Sequence, residues 1–164
     1  MSLAVAFTGP SNSGKTTIIE KIAKILIKTK KVSIIKNDPK DKARFDTKGK
    51  DSYKFSATGA SVAVVSPKKT TLFLKEESTI DRIIELFGDF DILLVEGLKN
   101  YPLPRVAIFR NQIDESYFEY ANALAIDESI NIDEYKIPPH IEILDLNTPE
   151  AIIEWIYKNA KVVK

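Results

Sequence analysis

Apolar and polar positions change period several times along the chain. Leu3 to Thr8 is a short apolar run that stops at Gly9-Pro10, a strong turn signal. From Lys15 the apolar residues recur at three and four: Ile18, Ile19, Ile22, Ala23, Ile25 and Leu26. That spacing predicts an amphipathic helix, and Lys28, Lys30 and Lys31 follow at its end, where the helix dipole is negative. Val32 to Ile35 is β-branched and reads as a strand. Strand, helix and strand in about 35 residues make a βαβ unit, which implies parallel pairing.

Beyond residue 36 the pattern weakens. Residues 37–50 have little apolar content and read as loop. Asp51 to Ala60 predicts a short helix, with Asp51 or Ser52 near its start and Gly59 near its end. Ser61–Ser66 and Thr70–Lys75 read as strands joined at Pro67-Lys68-Lys69, a hairpin signal. Ile80, Ile83, Ile84 and Phe87 mark another helix. Ile92–Val95 is a buried-type strand ending in Glu96-Gly97. Val106–Phe109, Ala123–Ile126 and Ile141–Leu144 are further strands. The last helix runs from Pro149 to about Lys158, with Thr148 as N-cap, Pro149 at the first helical position and Ile152, Ile153 and Ile156 inward.

Composition narrows the classes. At 164 residues the chain is expected to form one domain with a sizeable core. The net charge of +1 gives no overall field for nucleic acid or a membrane surface. Cysteine is absent and His140 is the single histidine, which excludes disulfides, thiolate sites and a multi-histidine cage. His140 follows two prolines and reads as a surface residue. No apolar stretch approaches the ~20 residues of a membrane span, and the first residues lack a signal-peptide pattern. The expected location is cytoplasmic. Charge is uneven: residues 28–54 hold ten basic against four acidic side chains. Such a run is either a solvated loop or a rim facing an anion.

Gly9-Pro10-Ser11-Asn12-Ser13-Gly14-Lys15-Thr16 fits G-x-x-x-x-G-K-[ST] at every fixed position, with a strand before it and a helix beginning at its lysine. Glycines let successive N–H groups turn inward toward phosphate oxygens, and the helix N-terminus adds positive potential. Lys15 is placed to reach the β- and γ-phosphates. Thr16 is a Mg²⁺ ligand candidate, and Thr17 an α-phosphate contact. A partner carboxylate is needed at the end of a neighbouring strand. Glu96 stands at the carboxyl end of Ile92–Val95, whereas Asp91 stands at its start. The expected fold class is therefore α/β: a P-loop NTPase three-layer fold with a mostly parallel central sheet flanked by helices, a β-hairpin insertion, and a single nucleotide-binding domain over 1–164.

Further blocks accompany the P-loop. They are Lys36, Asp46-Thr47-Lys48-Gly49-Lys50-Asp51-Ser52-Tyr53, Ala57-Thr58-Gly59-Ala60 and Leu94-Val95-Glu96-Gly97-Leu98-Lys99. The tail adds Arg105–Arg110, a run ending at Asp127, and Leu144-Asp145-Leu146-Asn147 before the final helix. In order and spacing this resembles the MobB family, molybdopterin-guanine dinucleotide biosynthesis protein B, over nearly the whole chain. The resemblance implies a GTP-binding, weakly hydrolysing protein. It also implies Mg²⁺, a homodimer, and assistance to a molybdenum cofactor guanylyltransferase that joins GMP to molybdopterin, giving its guanine dinucleotide. By position it implies phosphate or Mg²⁺ contacts from Gly14, Lys15, Thr16 and Thr17. Asp46 and Asp51 fall in a mobile loop near the γ-phosphate, Asp46 as a metal or water-positioning carboxylate. Glu96 takes the second-strand carboxylate role, and Lys50 and Lys99 lie near phosphate or a molybdopterin phosphate.

Two departures stand out. The positions after Lys36 read Asn37-Asp38-Pro39-Lys40 where family members often carry a histidine cluster, and Lys48 replaces a proline of the family loop. For guanine, two carboxylates are candidates. Asp114 closes Asn111-Gln112-Ile113-Asp114, which imitates N-K-x-D. Asp127 follows the strand Ala123–Ile126 and is preferred, because the carboxyl end of a strand is better placed. Two other functions compete: a small-molecule P-loop kinase, against which the lack of an arginine-rich lid counts, and a nucleotide-dependent adapter for another metal-cofactor maturation partner.

Overall fold

A computed structural model describes residues 1–164. Contacts divide the chain into two compact units, residues 1–37 with 89–164, and residues 38–88.

The first unit is built on a seven-stranded sheet: β1 (Leu3–Thr8), β2 (Val32–Lys36), β5 (Ile92–Glu96), β6 (Arg105–Ile108), β7 (Ala123–Ile126), β8 (Glu142–Asp145) and β9 (Lys161–Val162). The order is β2-β5-β1-β6-β7-β8, with every neighbouring pair parallel. β9 adds antiparallel to β1 through Leu3–Val162 and Ala4–Lys161. Its two residues are too few to leave a strand signature in the sequence. The nearly continuous apolar character of β1, β5, β6 and β7 matches strands covered on both faces.

Alternation along those strands sorts the core into two layers. Val5, Phe7, Leu94, Val106 and Ile108 pack with Ile18, Ile22 and Leu26 of α1 (Lys15–Leu26) and with Ile152, Trp155 and Ile156 of α4 (Pro149–Asn159). Ala107, Phe109, Leu124 and Ile126 point the other way. They are covered by Ile113, Ala121, Ile130 and Ile141, which come from the loops on either side of the 3₁₀ turns Glu115–Tyr117 and Ile132–Glu134. Phe109 and Tyr117 meet edge to face with centroids 5.4 Å apart.

One cap differs from expectation. Thr148 occupies the N-cap position of α4 but makes no side-chain cap. Its hydroxyl instead donates to Asp145 Oδ2 at 2.6 Å, where it meets an ionised acceptor.

The 38–88 unit contains α2 (Asp51–Ala57), α3 (Ile80–Leu86) and the expected hairpin, β3 (Val62–Val65) with β4 (Thr70–Phe73). The Ser66 N–H closes the Pro67-Lys68-Lys69 turn on the Lys69 carbonyl at 2.9 Å. Residues 42–50 hold no helix or strand. Asp38 Oδ2 accepts the N–H groups of Lys42 and Ala43 at 2.7 and 2.6 Å, an intra-loop tie at its start.

Candidate nucleotide-binding site

β1 delivers the glycine-rich turn to the carboxyl edge of the sheet. Gly9 (φ 140) and Gly14 (φ 97) both occupy the left-handed region. Gly9 has no alternative: a Cβ there would stand 2.4 Å from the Ile108 carbonyl oxygen. Gly14 is the cap of α1, and its own carbonyl accepts the Ile18 N–H at 3.0 Å. Ser11, Asn12, Gly14, Lys15, Thr16, Thr17 and Glu96 line one cavity of about 450 Å³. Sequence spacing had joined the first six; the sheet brings in the seventh, because β5 lies beside β1 with Phe7 opposite Glu96.

Lys15 Nζ donates to the carbonyls of Gly9 (2.8 Å) and Pro10 (2.6 Å). Burial holds its pKa below the ordinary lysine value, opposed by the nearby Glu96 charge and assisted by Lys36. An anion in the cradle gives this ammonium a better partner than two neutral carbonyls. Ser13 is 4% exposed and its hydroxyl has no protein partner. A polar group left without a protein partner in a ring of inward amides suits a phosphate oxygen.

Lys36, missed as a site residue, pairs with Glu96. Its Nζ lies 2.8 Å from Oε1, and the parallel register of β2 and β5 sets the two residues side by side. Glu96 is itself only 13% exposed at its side chain. The turn after it is anchored by another residue without an assigned role, Arg105. That side chain is buried in β6, and its guanidinium donates to the carbonyls of Gly97 (2.8 Å), Leu98 (2.8 Å) and Tyr101 (3.0 Å). Burial lowers its pKa. These bonds fix a turn in which Gly97 and Leu98 both have positive φ, 89° and 51°. Lys99 leaves this turn with its Nζ 5.2 Å from the Tyr120 ring centroid.

The family model of molybdopterin guanine dinucleotide synthesis protein B matches residues 4–127. The chain belongs to the MobB family. A molybdopterin-guanine dinucleotide biosynthesis adapter protein of Haemophilus influenzae is 28% identical over 161 residues, covering 93% of this chain and 86% of the relative. A relative from Methanocaldococcus jannaschii, named as a putative adapter protein of the same kind, is 28% identical over 137 residues; the match covers 79% of this chain and 57% of that longer protein. The crystal structure of Bacillus subtilis MobB superposes with a TM-score of 0.75 at 26% identity, over 96% of this chain and 98% of that one. The mostly parallel sheet with its P-loop between β1 and α1 is accordingly the P-loop NTPase fold expected from the sequence.

The remaining expected site residues of this MobB member separate by unit. Asp46, Lys50 and Asp51 belong to 38–88. Asp46 Oδ1 accepts from the Thr47 N–H and the Ser52 hydroxyl, both at 2.9 Å, while Oδ2 is buried without a partner. Lys50 is the N-cap residue of α2, and Asp51 at its first turn is 82% exposed and pairs with Lys54 at 3.2 Å. Of the two guanine candidates, Asp114 caps the 3₁₀ turn by accepting from Ser116 N at 3.0 Å and is solvent-facing. Asp127 directly follows β7, and its side chain is 6% exposed. His140 is exposed, as expected.

The donor set suits Mg²⁺. Thr16 and Glu96 supply hard oxygens to one cavity, and no cluster of three or more acidic, histidine or cysteine side chains exists to hold a softer or fully protein-ligated ion. A small octahedral cation that keeps waters and uses phosphate oxygens is the one that two protein oxygens can complement. No helix is long and apolar enough to cross a membrane.

Proposed function

We propose that the chain is a GTP-binding, weakly hydrolysing accessory protein in molybdenum cofactor biosynthesis. In this reading it assists a guanylyltransferase that attaches GMP to molybdopterin, and it works as a homodimer. The observation that carries the nucleotide part is the convergence of Lys15, Thr16, Thr17 and Glu96 on one P-loop cavity. Family membership carries the pathway part.

The P-loop amides and the α1 N-terminus bind the phosphate tail. Lys15 turns from its own loop carbonyls to the β- and γ-phosphates, and Thr17 meets the α-phosphate. Thr16 and Glu96 would hold Mg²⁺, which would neutralise phosphate charge there. Asp46 keeps the metal- or water-positioning role that the resemblance implies for it. Lys50, Asp51 and Lys99 serve the anionic ligands around it. Hydrolysis is slow because no arginine stands within the P-loop itself, and an arginine finger contributes about 10³–10⁵ in rate. The lack of an arginine-rich lid segment argues against a small-molecule kinase.

Titration of GTP, GDP and ATP with Mg²⁺ against wild type and Lys15→Ala tests this. GTP is expected to bind better than ATP, and Lys15→Ala to lose about tenfold to a hundredfold in GTP affinity, the scale of a lost charged hydrogen bond. Unchanged binding by the alanine variant refutes the site; equal binding of ATP and GTP refutes the base.

A further inference from the structure

Asp127 is more heavily engaged than a free base-reading carboxylate. Its Oδ1 accepts from the Ser129 N–H at 3.1 Å and from the Ser129 hydroxyl, and its Oδ2 lies 3.0 Å from Arg110 Nη1. An ionised carboxylate offers about four acceptor sites. With three in use, one remains. A carboxylate in that condition cannot take both N1–H and the exocyclic amine of guanine by itself.

Arg110 supplies what is missing. Its side chain is 42% exposed and spends one N–H on Asp127, so further donors remain in its fork. It also lies against the phosphate cradle: a Cβ placed on Gly14 would stand 3.2 Å from Arg110 Nε. The two turns that carry the pair are tied together, since the Asn111 N–H donates to Ser129 Oγ at 2.7 Å. A donor and an acceptor thus stand side by side at the carboxyl ends of β6 and β7, joined to the loop that holds the phosphates.

That juxtaposition matches one edge among the purines. Guanine and hypoxanthine present the O6 acceptor next to the N1–H donor. Adenine reverses both, with an amine at position 6 and a bare N1. We propose that Arg110 and Asp127 read the purine as a unit, Asp127 accepting from N1–H and Arg110 donating to O6, so that the exocyclic 2-amine goes unread. This deepens the nucleotide reading above and rests on it.

The test uses the full chain with Mg²⁺, titrated with GTP, inosine triphosphate, ATP and tripolyphosphate. Wild type is expected to bind GTP and inosine triphosphate within about threefold of each other and ATP about a hundredfold more weakly, the scale of two charged hydrogen bonds lost. Arg110→Met lowers GTP and inosine triphosphate affinity together by about tenfold and leaves ATP and tripolyphosphate unchanged. A preference of tenfold or more for GTP over inosine triphosphate overturns the proposal, because the carboxylate then reads both guanine donors. An equal loss for tripolyphosphate in Arg110→Met also overturns it, because the guanidinium then serves the phosphates. If Arg110→Met melts early, Arg110→Lys replaces it. That variant keeps the charge on Asp127 without the fork, and it is expected to narrow GTP over ATP by at least about threefold. Lys15→Ala monitors the underlying reading separately: its loss extends to every triphosphate, tripolyphosphate included, whatever Arg110 does.

Discussion

The sheet-bearing unit and the 38–88 unit are packed very differently. In the first, β1, β5, β6 and β7 are almost wholly buried, and Arg105 is buried with them because its guanidinium donates three hydrogen bonds to loop carbonyls. In the second, Ile84 is the one apolar side chain that reaches the core class, whereas Phe45, Phe55 and Val65 are 83%, 60% and 75% exposed. A site that must hold its geometry is built on the first kind of packing. Segments that reorganise around a ligand or a partner come from the second, since few buried contacts mean a low local opening free energy. The P-loop, Glu96 and the anchored 97–101 turn stand in the rigid part; Asp46, Lys50 and Asp51 stand in the loosely packed part.

That contrast can be broken at several points. Leu94→Ala, in the centre of β5, is expected to cost about 2–5 kcal/mol of unfolding free energy, whereas Phe55→Ala stays within about 0.5 kcal/mol. Denaturant melts of both variants measure it, and similar losses would show that the Phe55 surface is buried in solution by something outside this chain. Arg105→Leu comes next. It removes the buried donor from the carbonyls of Gly97, Leu98 and Tyr101 in a half-exposed turn, at about 1–3 kcal/mol, and it frees the chain around Glu96. Weaker Mg²⁺-dependent nucleotide binding with tripolyphosphate binding kept in metal-free buffer is the signature of a loosened Glu96. Parallel losses in both would mean that the whole cradle has shifted.

Smaller effects follow from titration. Burial sets the Lys15 pKa low, so phosphate affinity should fall as pH rises through that lowered value, earlier than for an ordinary lysine. Lys15→Ala should flatten the profile. Asp127 has its pKa depressed, first by the Ser129 hydroxyl; burial opposes this, and the Ser129 N–H and Arg110 add smaller lowering effects. A folded-state pKa below the unfolded one contributes stability that is complete above the unfolded value near 3.9 and is lost as pH falls through the folded one. Acid unfolding of Asp127→Asn should therefore lack that part of the pH dependence, and the variant should be less stable than wild type at neutral pH, where the carboxylate contributes in full.

Most elements were legible because their signals are local. The 3.6 period of α1, the β-branched run of β2 and the Pro67-Lys68-Lys69 turn each need only near neighbours in the chain, and each appears where it was expected. Thr148 is the N-cap residue as expected, but its hydroxyl is turned toward Asp145 at the end of β8 and caps no helical N–H. The phosphate loop was readable for the same local reason, being eight consecutive residues. Lys36, Arg105 and Arg110 were not. Lys36 acquires its partner sixty residues away through strand register, and Arg105 and Arg110 acquire roles through turns that fold back on them.

By itself, then, the sequence determined the strand–P-loop–helix unit and the family, since each rests on runs of contiguous residues with fixed backbone demands. Only the tertiary structure decided which charges stand together. The order β2-β5-β1-β6-β7 puts Glu96 beside Lys36 and across from the P-loop, and it sets Arg110 between Gly14 and Asp127. The physical reason is that pairing between side chains depends on angstrom distances across a sheet, and separation along the chain carries no information about those until the strands have chosen their neighbours.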